Sequence, residues 1–242
     1  MSRYFEELDW RPTPIGALSL RRRRELRLDI DVYEIMLAGD FLMSSLFTAA
    51  EIELARLSLT RLAGRDLEIV VGGLGLGYTA QAVLEDSRVG SVIVVEALPA
   101  VIEWHEEGLL PLGRGLATDP RCRLVEGDFF EMISTDGIGP DPDDPDRRFD
   151  GILVDIDHTP RHVLDSGHAG FYEPEGLRRL AGHLRPGGVF GLWSNDPPDE
   201  ALVASLGQVF ADSKAHVVRF HNPLQDREAA NTGYVGQTGA EA

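Results

Sequence analysis

Residues 67–80, LEIVVGGLGLGYTA, constrain the fold of this chain more than any other stretch. Residues 67–71 form an apolar, mostly β-branched run that is followed directly by turn residues, which is typical of a buried strand. Residues 78–85 then show the pattern of a helix. A strand, a glycine-rich turn and a helix in this order form an elbow suited to a phosphate or a nucleotide, because the helix N-terminus offers free N–H groups.

The turn itself contains four glycines, which allow positive φ and a close approach of the backbone to a ligand. Their spacing differs from the G-x-G-x-x-G dinucleotide fingerprint, and no P-loop lysine follows. Taken alone, this pattern is a weak signal, and a tight strand-to-helix turn without any ligand is the alternative interpretation. With the rest of the chain in view, we interpret Gly73, Gly75 and Gly77 as contacts to a nucleotide.

Composition limits the classes of protein to consider. A length of 242 residues predicts one large domain, or a domain with an N-terminal extension. The net charge of −17 argues against nucleic acid as the main partner and would suit a cationic small molecule, although surface solvation explains it more simply. One cysteine, no long apolar run and an N-terminus without a signal-peptide pattern predict a cytoplasmic protein without a membrane span.

Strand and helix patterns alternate from residue 66 onward, which predicts a doubly wound, mostly parallel sheet with helices on both faces. We therefore expect an α/β domain over residues 66–242. An N-terminal extension over residues 1–65 should hold short strands and a helix at 48–63, capped by Thr48 with Glu51. Seven strands are predicted for the large sheet, at 67–71, 91–96, 122–126, 149–156, 189–193, 215–220 and 232–235.

Acidic residues follow successive strands of this predicted sheet, and ligands of such sheets bind at the carboxyl ends of the strands. Glu96 ends the second strand, where an acid can accept hydrogen bonds from both ribose hydroxyls. Asp128 follows the third strand and Asp155 the fourth. Separately, Glu96 could be a surface acid and Asp128 a helix cap. Together with the glycine turn, the three acids predict a binding site for an adenosyl nucleotide.

Residues 67–188 resemble the class I S-adenosylmethionine-dependent methyltransferases and, more specifically, the spermidine synthases or polyamine aminopropyltransferases. The resemblance implies a seven-stranded Rossmann-like sheet of the class I methyltransferase type, an N-terminal hairpin and helix, transferase activity and often a homodimer. Four motifs carry it: GG at 72–73 after IVV; VVE at 94–96 before VIE at 101–103; DPR at 119–121 before GD at 127–128; and FDGILVD at 149–155 before FY at 171–172.

The chain also departs from that family at positions that touch the amines. Gly75 stands where the family's G-G-G-D-G-G pattern has an aspartate that helps to hold the amine of decarboxylated S-adenosylmethionine. In the family's D-S-S-D-P or D-S-T-D-P stretch, Asp155 matches the first acid, a general base on the attacking amine, whereas His158 replaces the second. The Gln and Tyr that face the polyamine have no clear match in residues 42–54.

These departures direct the functional prediction. A propylammonium group without acidic partners would bind poorly, whereas N–H groups of the glycine turn could hold the carboxylate of S-adenosylmethionine. We therefore expect transfer of a methyl or other small group from S-adenosylmethionine to a small-molecule or peptide nucleophile, an amine being one candidate. Asp155 would act as base or orienting acid, with His158 as an auxiliary. A polyamine aminopropyltransferase that uses decarboxylated S-adenosylmethionine and a non-catalytic nucleotide-binding protein remain the alternatives.

Several other features carry less information. His158, His162 and His168 lie near two aspartates without the spacing of metal ligands, so no metal site is predicted. Residues 195–198, NDPP, are interpreted as the start of a helix rather than a methyltransferase motif. Trp104 and Trp193 could each pack in the core or line the site. The loops at 136–148, predicted to be solvated, and at 159–170 contain no motif that identifies the acceptor.

Overall fold

Two β-sheets make up the architecture of the computed structural model, which describes residues 4–134, 139–164 and 166–240. The smaller sheet is antiparallel and follows chain order. It extends the predicted hairpin to four strands, since each strand returns beside the one before it. These strands are β1 (Phe5–Thr13), β2 (Gly16–Glu25), β3 (Ile30–Leu37) and β4 (Asp40–Ser44).

The larger sheet has seven strands in the order β10-β11-β9-β8-β5-β6-β7. Strands β5 to β9 run parallel, and the final pair, β10 and β11, joins antiparallel to β9. The predicted fold class is thereby confirmed. The strands are β5 (Leu67–Gly72), β6 (Val89–Glu96), β7 (Cys122–Glu126), β8 (Phe149–Val154), β9 (Leu184–Ser194), β10 (Asp212–Asn222) and β11 (Arg227–Gln237).

Helices cover both faces of the large sheet. They are α1 (Ala49–Leu59), α2 (Tyr78–Leu84), α3 (Pro99–Glu106), α4 (Gly113–Thr118), α5 (Phe129–Ser134), α6 (Pro174–Gly182) and α7 (Glu200–Gly207), with a 3-10 helix at Ser166–Tyr172. Helix α4 was not expected from the sequence. Helix α1 packs against α2 and against β9 and β11 of the large sheet. The division of the chain at residue 65 stays a prediction.

The apolar run in β5 follows from its position at the centre of the sheet. Ile69 and Val71 face one apolar cluster, which contains Trp104 of α3. Val70, between them, faces a second cluster on the opposite side, which contains Phe129 of α5. Because both faces of the sheet are buried here, the side chains that point to either face are apolar. Trp104 is fully buried, so its role is packing rather than contact with a ligand.

One local prediction is wrong, and a second is correct only in part. Thr48 makes no side-chain hydrogen bond to cap α1, because its ψ of 2° departs from the extended conformation of a capping residue. The carboxyl group of Glu51 instead accepts from the backbone N–H groups of Ala50 and Glu51 at the start of the helix. The loop predicted to be solvated includes residues 135–138, which lie outside the described residues. In its described part, residues 142–146 are exposed as expected, whereas Asp141 is buried and forms ion pairs with Arg123 and Arg147.

None of the helices in the described ranges is both long enough and apolar enough to cross a membrane.

Candidate functional site

A cavity of about 870 Å³ lies at the carboxyl ends of the parallel strands. Side chains from the small sheet, from α1 and from the loops after β5, β6, β7, β8 and β9 line it. The cavity brings together six of the seven residues that the sequence predicts for the site. These are Gly73, Gly75, Glu96, Asp128, Asp155 and His158.

Gly77 is the predicted residue that does not line the cavity. It begins α2 with a φ of 90°, and a side chain there would meet Leu116 and His105. Gly73 also has a positive φ, 93°, and a side chain there would meet the backbone carbonyl of Asp155. Gly77 therefore allows the helix to pack closely, whereas Gly73 allows the turn to approach the end of β8.

The N–H groups of the glycine turn are already hydrogen-bonded within the protein. Gly73 donates to the carbonyl of Val95 at 2.9 Å, and Gly77 donates to the carbonyl of Leu74 at 2.8 Å. Leu74 and Gly75 donate to Oε2 of Glu96 at 2.9 and 3.4 Å, and Leu76 donates to Sδ of Met43 at 3.2 Å. The expectation that this turn holds a ligand carboxylate is therefore wrong, because residues 73–77 have no spare N–H group.

Glu96 organises the turn from the end of β6. Its second oxygen, Oε1, accepts the N–H of Leu98 at 2.9 Å. Burial raises the pKa of Glu96, and the hydrogen bonds from backbone N–H groups oppose that effect. Each carboxylate oxygen has two lone pairs, so these bonds leave capacity to accept from a ligand. A contact between Glu96 and ribose stays a prediction.

Asp128 has a structural role as well as a place on the cavity wall. Its Oδ1 accepts the N–H of Phe130 at 2.8 Å and that of Glu131 at 3.1 Å, so it caps α5. The simpler explanation considered for this residue is thus correct for one oxygen. Since Asp128 also lines the cavity, its predicted contact with a nucleotide stays open as a prediction.

Asp155 is held at the cavity by the end of β8 and by α2. Its backbone N–H donates to the carbonyl of Gly72 at 2.8 Å, and its Oδ2 accepts from the hydroxyl of Thr79 at 2.7 Å. Burial raises the pKa of Asp155 to about 6, against the lowering effect of the Thr79 hydrogen bond. A carboxylate with such a pKa is a stronger base than an ordinary aspartate and remains ionised near neutral pH.

Glu51 is a cavity residue that the sequence interpretation missed. Helix α1 carries it, only 9% of the residue is exposed, and it lines the same cavity as Asp155. Burial, and then the negative charge of Asp155, raise the pKa of Glu51 to about 8. The helical spacing of the sequence could have indicated its burial, because Glu51 lies on the same face of α1 as Leu54, Ala55 and Ser58.

The histidines form one wall of the cavity. His158, His162 and His168 all line it, whereas Asp157 is buried behind them. Asp157 accepts hydrogen bonds from the hydroxyl of Tyr172 at 2.7 Å and from the N–H of Leu164 at 2.7 Å, and Nδ1 of His168 lies 3.1 Å away. Asp157 thus anchors the wall and does not join Asp155.

Within the described ranges, no three potential ligands are placed to hold a metal ion.

The end of β9 supplies the neighbouring part of the wall, since the N–H of Asn195 donates to the carbonyl of His158 at 2.8 Å. Trp193, Asn195 and Asp196 all line the cavity, which assigns Trp193 to the site. Asp199 caps α7 by accepting the N–H of Ala201 at 2.8 Å. The NDPP segment therefore precedes a helix start, as expected, and also contributes two polar side chains to the cavity.

The cavity is rich in acidic side chains. Five carboxyl groups line it, and no lysine or arginine of the described chain does. Buried carboxylates normally pair with a cation, so a wall of this composition suits a positively charged ligand. The five residues are Glu51, Glu96, Asp128, Asp155 and Asp196.

The chain is similar in sequence to polyamine aminopropyltransferases, although no family model matches it. A relative from Mycobacterium tuberculosis is 27% identical over 129 residues, and one from Oceanobacillus iheyensis is 27% identical over 131 residues. Each match covers 53% of this chain but only 23% of the relative. The similarity thus spans less than a quarter of the length of these curated proteins.

The fold is that of solved spermidine synthases. The enzyme from Thermotoga maritima superposes with a TM-score of 0.72 at 16% identity, covering 97% of this chain and 74% of that one. A probable spermidine synthase from Corynebacterium glutamicum gives a TM-score of 0.65 at 16% identity, covering 95% and 79%. The predicted resemblance to the spermidine synthase-like proteins is therefore confirmed.

The expectation that this chain transfers a methyl group from S-adenosylmethionine, as a methyltransferase, is wrong. Both the curated relatives and the solved structures are aminopropyltransferases or spermidine synthases. The prediction assumed that N–H groups of the glycine turn hold the carboxylate of S-adenosylmethionine, and this assumption is also wrong. Glu96 and Met43 already accept hydrogen bonds from three of those N–H groups.

Proposed function

We propose that this chain is an aminopropyltransferase, which transfers a propylamine group from decarboxylated S-adenosylmethionine to an amine acceptor. The observation that carries the proposal is the cavity lined by five carboxyl groups and, among its described residues, no lysine or arginine. Decarboxylated S-adenosylmethionine has a sulfonium, an ammonium and no carboxylate. A donor that kept its carboxylate would place a negative charge beside Glu51 and Asp155, which is unfavourable in a partly buried site.

The predicted nucleotide residues other than Gly77 keep their roles in this proposal. Glu96 and Asp128 would face the nucleoside, because Glu96 ends β6 and Asp128 follows β7 at the end of the sheet where nucleotides bind. Gly73 and Gly75 would form the floor under it. Asp155 would face the reacting groups, since β8 delivers it beside the turn.

The reaction is an in-line displacement at a carbon bonded to the sulfonium. The lone pair of the acceptor amine forms the new C–N bond while the C–S bond breaks, and the bonding pair returns to sulfur. Methylthioadenosine leaves, and the new ammonium loses its extra proton to Asp155. A base with a pKa of about 6 accepts that proton when ionised at neutral pH, and the walls of the cavity align the two reactants.

An amine as the acceptor, a homodimeric state and a cytoplasmic location remain predictions. The cavity extends from Asp155 to Asn222 and Asn231 on β10 and β11. That extension leaves room for an acceptor beside the donor. Polar amide groups there could bind amino groups of an extended amine.

Product analysis by mass spectrometry tests the proposal. The protein is incubated with decarboxylated S-adenosylmethionine and a panel of diamines and triamines. We expect equal amounts of methylthioadenosine and of an amine heavier by one aminopropyl group. Binding of methylthioadenosine without any product from the whole panel would favour a non-catalytic nucleotide-binding protein. Methylated amine formed from S-adenosylmethionine would contradict the proposal.

A further inference from the structure

Position 75 of the glycine turn contributes no charge, and its surroundings leave no room for one. Gly75 has a φ of 46°, and an added Cβ would collide with Sδ and Cε of Met43. Met43, from β4, also accepts the N–H of Leu76 through its sulfur at 3.2 Å. A thioether therefore fills the space beside the turn in which an acidic side chain at position 75 would lie.

Glu51 lies on the same side of the cavity as that turn. Its negative charge contributes to raising the pKa of Tyr78, the first residue of α2 and the residue directly after Gly77, although burial of the phenol contributes more. Glu51 therefore lies near Asp155 and near the start of α2, where the glycine turn ends.

The carboxyl group of Glu51 has no counter-ion among the residues that the structure describes. None of the side chains that the structure describes donates a hydrogen bond to it, and only the backbone N–H groups of Ala50 and Glu51 itself lie near. Its ionisable neighbours are Asp155 and Tyr78, neither of which is a cation. A carboxyl group that is nine-tenths buried and faces a cavity without a cation is costly to ionise, and a ligand that supplies a positive charge removes that cost.

We propose that Glu51 binds the terminal ammonium of the donor's aminopropyl chain and so supplies the negative charge that position 75 lacks. The inference rests on the proposed function, because it assumes a donor with a propylammonium group. It assigns two different tasks to the two neighbouring carboxyl groups. Glu51 orients the group to be transferred, and Asp155 accepts the proton of the acceptor.

Calorimetry with two ligands tests this assignment. Decarboxylated S-adenosylmethionine contains the ammonium, whereas methylthioadenosine shares the nucleoside and lacks the aminopropyl chain. We expect Glu51→Gln to weaken binding of decarboxylated S-adenosylmethionine by about 10- to 100-fold, the range for a charge-assisted hydrogen bond. Binding of methylthioadenosine should change less than about twofold, because that ligand makes no such bond.

Glu53→Gln is the matched control, since Glu53 lies on the same helix and lines a different groove, between α1 and β10. It should leave both affinities unchanged. Equal affinity of wild type and Glu51→Gln for decarboxylated S-adenosylmethionine would overturn the inference, as would a parallel loss for both ligands. If the wild-type protein binds methylthioadenosine but not the decarboxylated donor, the proposed function itself fails.

Discussion

The hydroxyl group of Thr79 donates a 2.7 Å hydrogen bond to Oδ2 of Asp155 and thereby joins the first turn of α2 to the end of β8. This bond favours the ionised form of the carboxyl group, whereas burial favours the neutral form. The balance keeps the pKa of Asp155 at about 6 rather than higher. Thr79 thus positions the proposed base and preserves its charge at neutral pH.

Replacing Thr79 tests this relationship. Thr79→Val keeps the shape and removes the hydrogen bond, so the pKa of Asp155 should rise. The acidic limb of the kcat profile should move to higher pH, and turnover at pH 7 should fall about tenfold, as for a lost hydrogen bond to a charged group. Thr79→Ser keeps a hydroxyl and should retain the wild-type profile. An unshifted profile in Thr79→Val would show that the bond does not control the base.

Asp155→Asn should separate chemistry from binding. The amide keeps the size of the side chain and cannot accept the proton, so single-turnover transfer should slow by about 10²- to 10⁴-fold. Affinity for methylthioadenosine should remain close to that of the wild type. Full activity of this variant would remove Asp155 from the mechanism and direct attention to His158, which lines the same cavity. Loss of methylthioadenosine binding would instead place Asp155 in the nucleoside site.

Glu96→Ala should affect both stability and binding, because Glu96 accepts the N–H groups of Leu74 and Leu98. Each buried N–H group left without a partner costs about 1–3 kcal/mol. For a chain of this size the variant should melt at least about 4 °C below the wild type, and calorimetry should detect weaker methylthioadenosine binding. Glu126→Ala is the control, since Glu126 is exposed and pairs with Glu96 in the sheet register. Equal melting temperatures for both variants would contradict the role of Glu96 in holding the turn.

The carboxyl groups of Glu51 and Asp155 should make stability depend on pH in the absence of ligand. The pKa of Glu51 rises on folding from 4.5 to about 8, and that of Asp155 from 3.8 to about 6. The folded state therefore holds these protons more tightly than the unfolded state, so their stabilising contribution is present at low pH and is lost as pH rises through the folded values. The free energy of unfolding should decrease between about pH 5 and pH 8.

Urea denaturation at several pH values measures this dependence. Glu51→Gln carries no titratable group at position 51, so its decrease over the same range should be smaller than that of the wild type by up to about 4 kcal/mol, given about 1.4 kcal/mol for each unit between pH 5 and the folded pKa of about 8. Glu53→Gln should keep the wild-type slope. Identical slopes for wild type and Glu51→Gln would mean that Glu51 is not buried as an acid in the folded protein.

Much of the fold could be predicted from the sequence, because its signals are local. The apolar run of β5 and the glycines after it identify the central strand and its turn without reference to any other segment. The positions of Glu96, Asp128 and Asp155 then follow from topology alone, since parallel strands end at one edge of the sheet. All three line the cavity.

The tertiary contacts of the site could not be predicted in the same way. Met43 closes the space beside Gly75 although 32 positions separate them in the chain, and nothing in the pattern around either residue indicates the contact. The sequence of the glycine turn predicts N–H groups that are free to bind a ligand, yet Glu96 accepts hydrogen bonds from two of them. Glu51 appeared to be part of a helix cap, and only the packing of α1 shows that it faces the cavity. These three contacts are why we propose decarboxylated S-adenosylmethionine as the donor in place of the expected S-adenosylmethionine.

The choice of donor is the central claim, and calorimetry with wild-type protein tests it most directly. Decarboxylated S-adenosylmethionine and S-adenosylmethionine differ only in the carboxylate, which would lie in a cavity lined by carboxyl groups. We expect the decarboxylated donor to bind at least about 100-fold more tightly, a difference of about 2.7 kcal/mol. Equal affinities, or tighter binding of S-adenosylmethionine, would contradict the account.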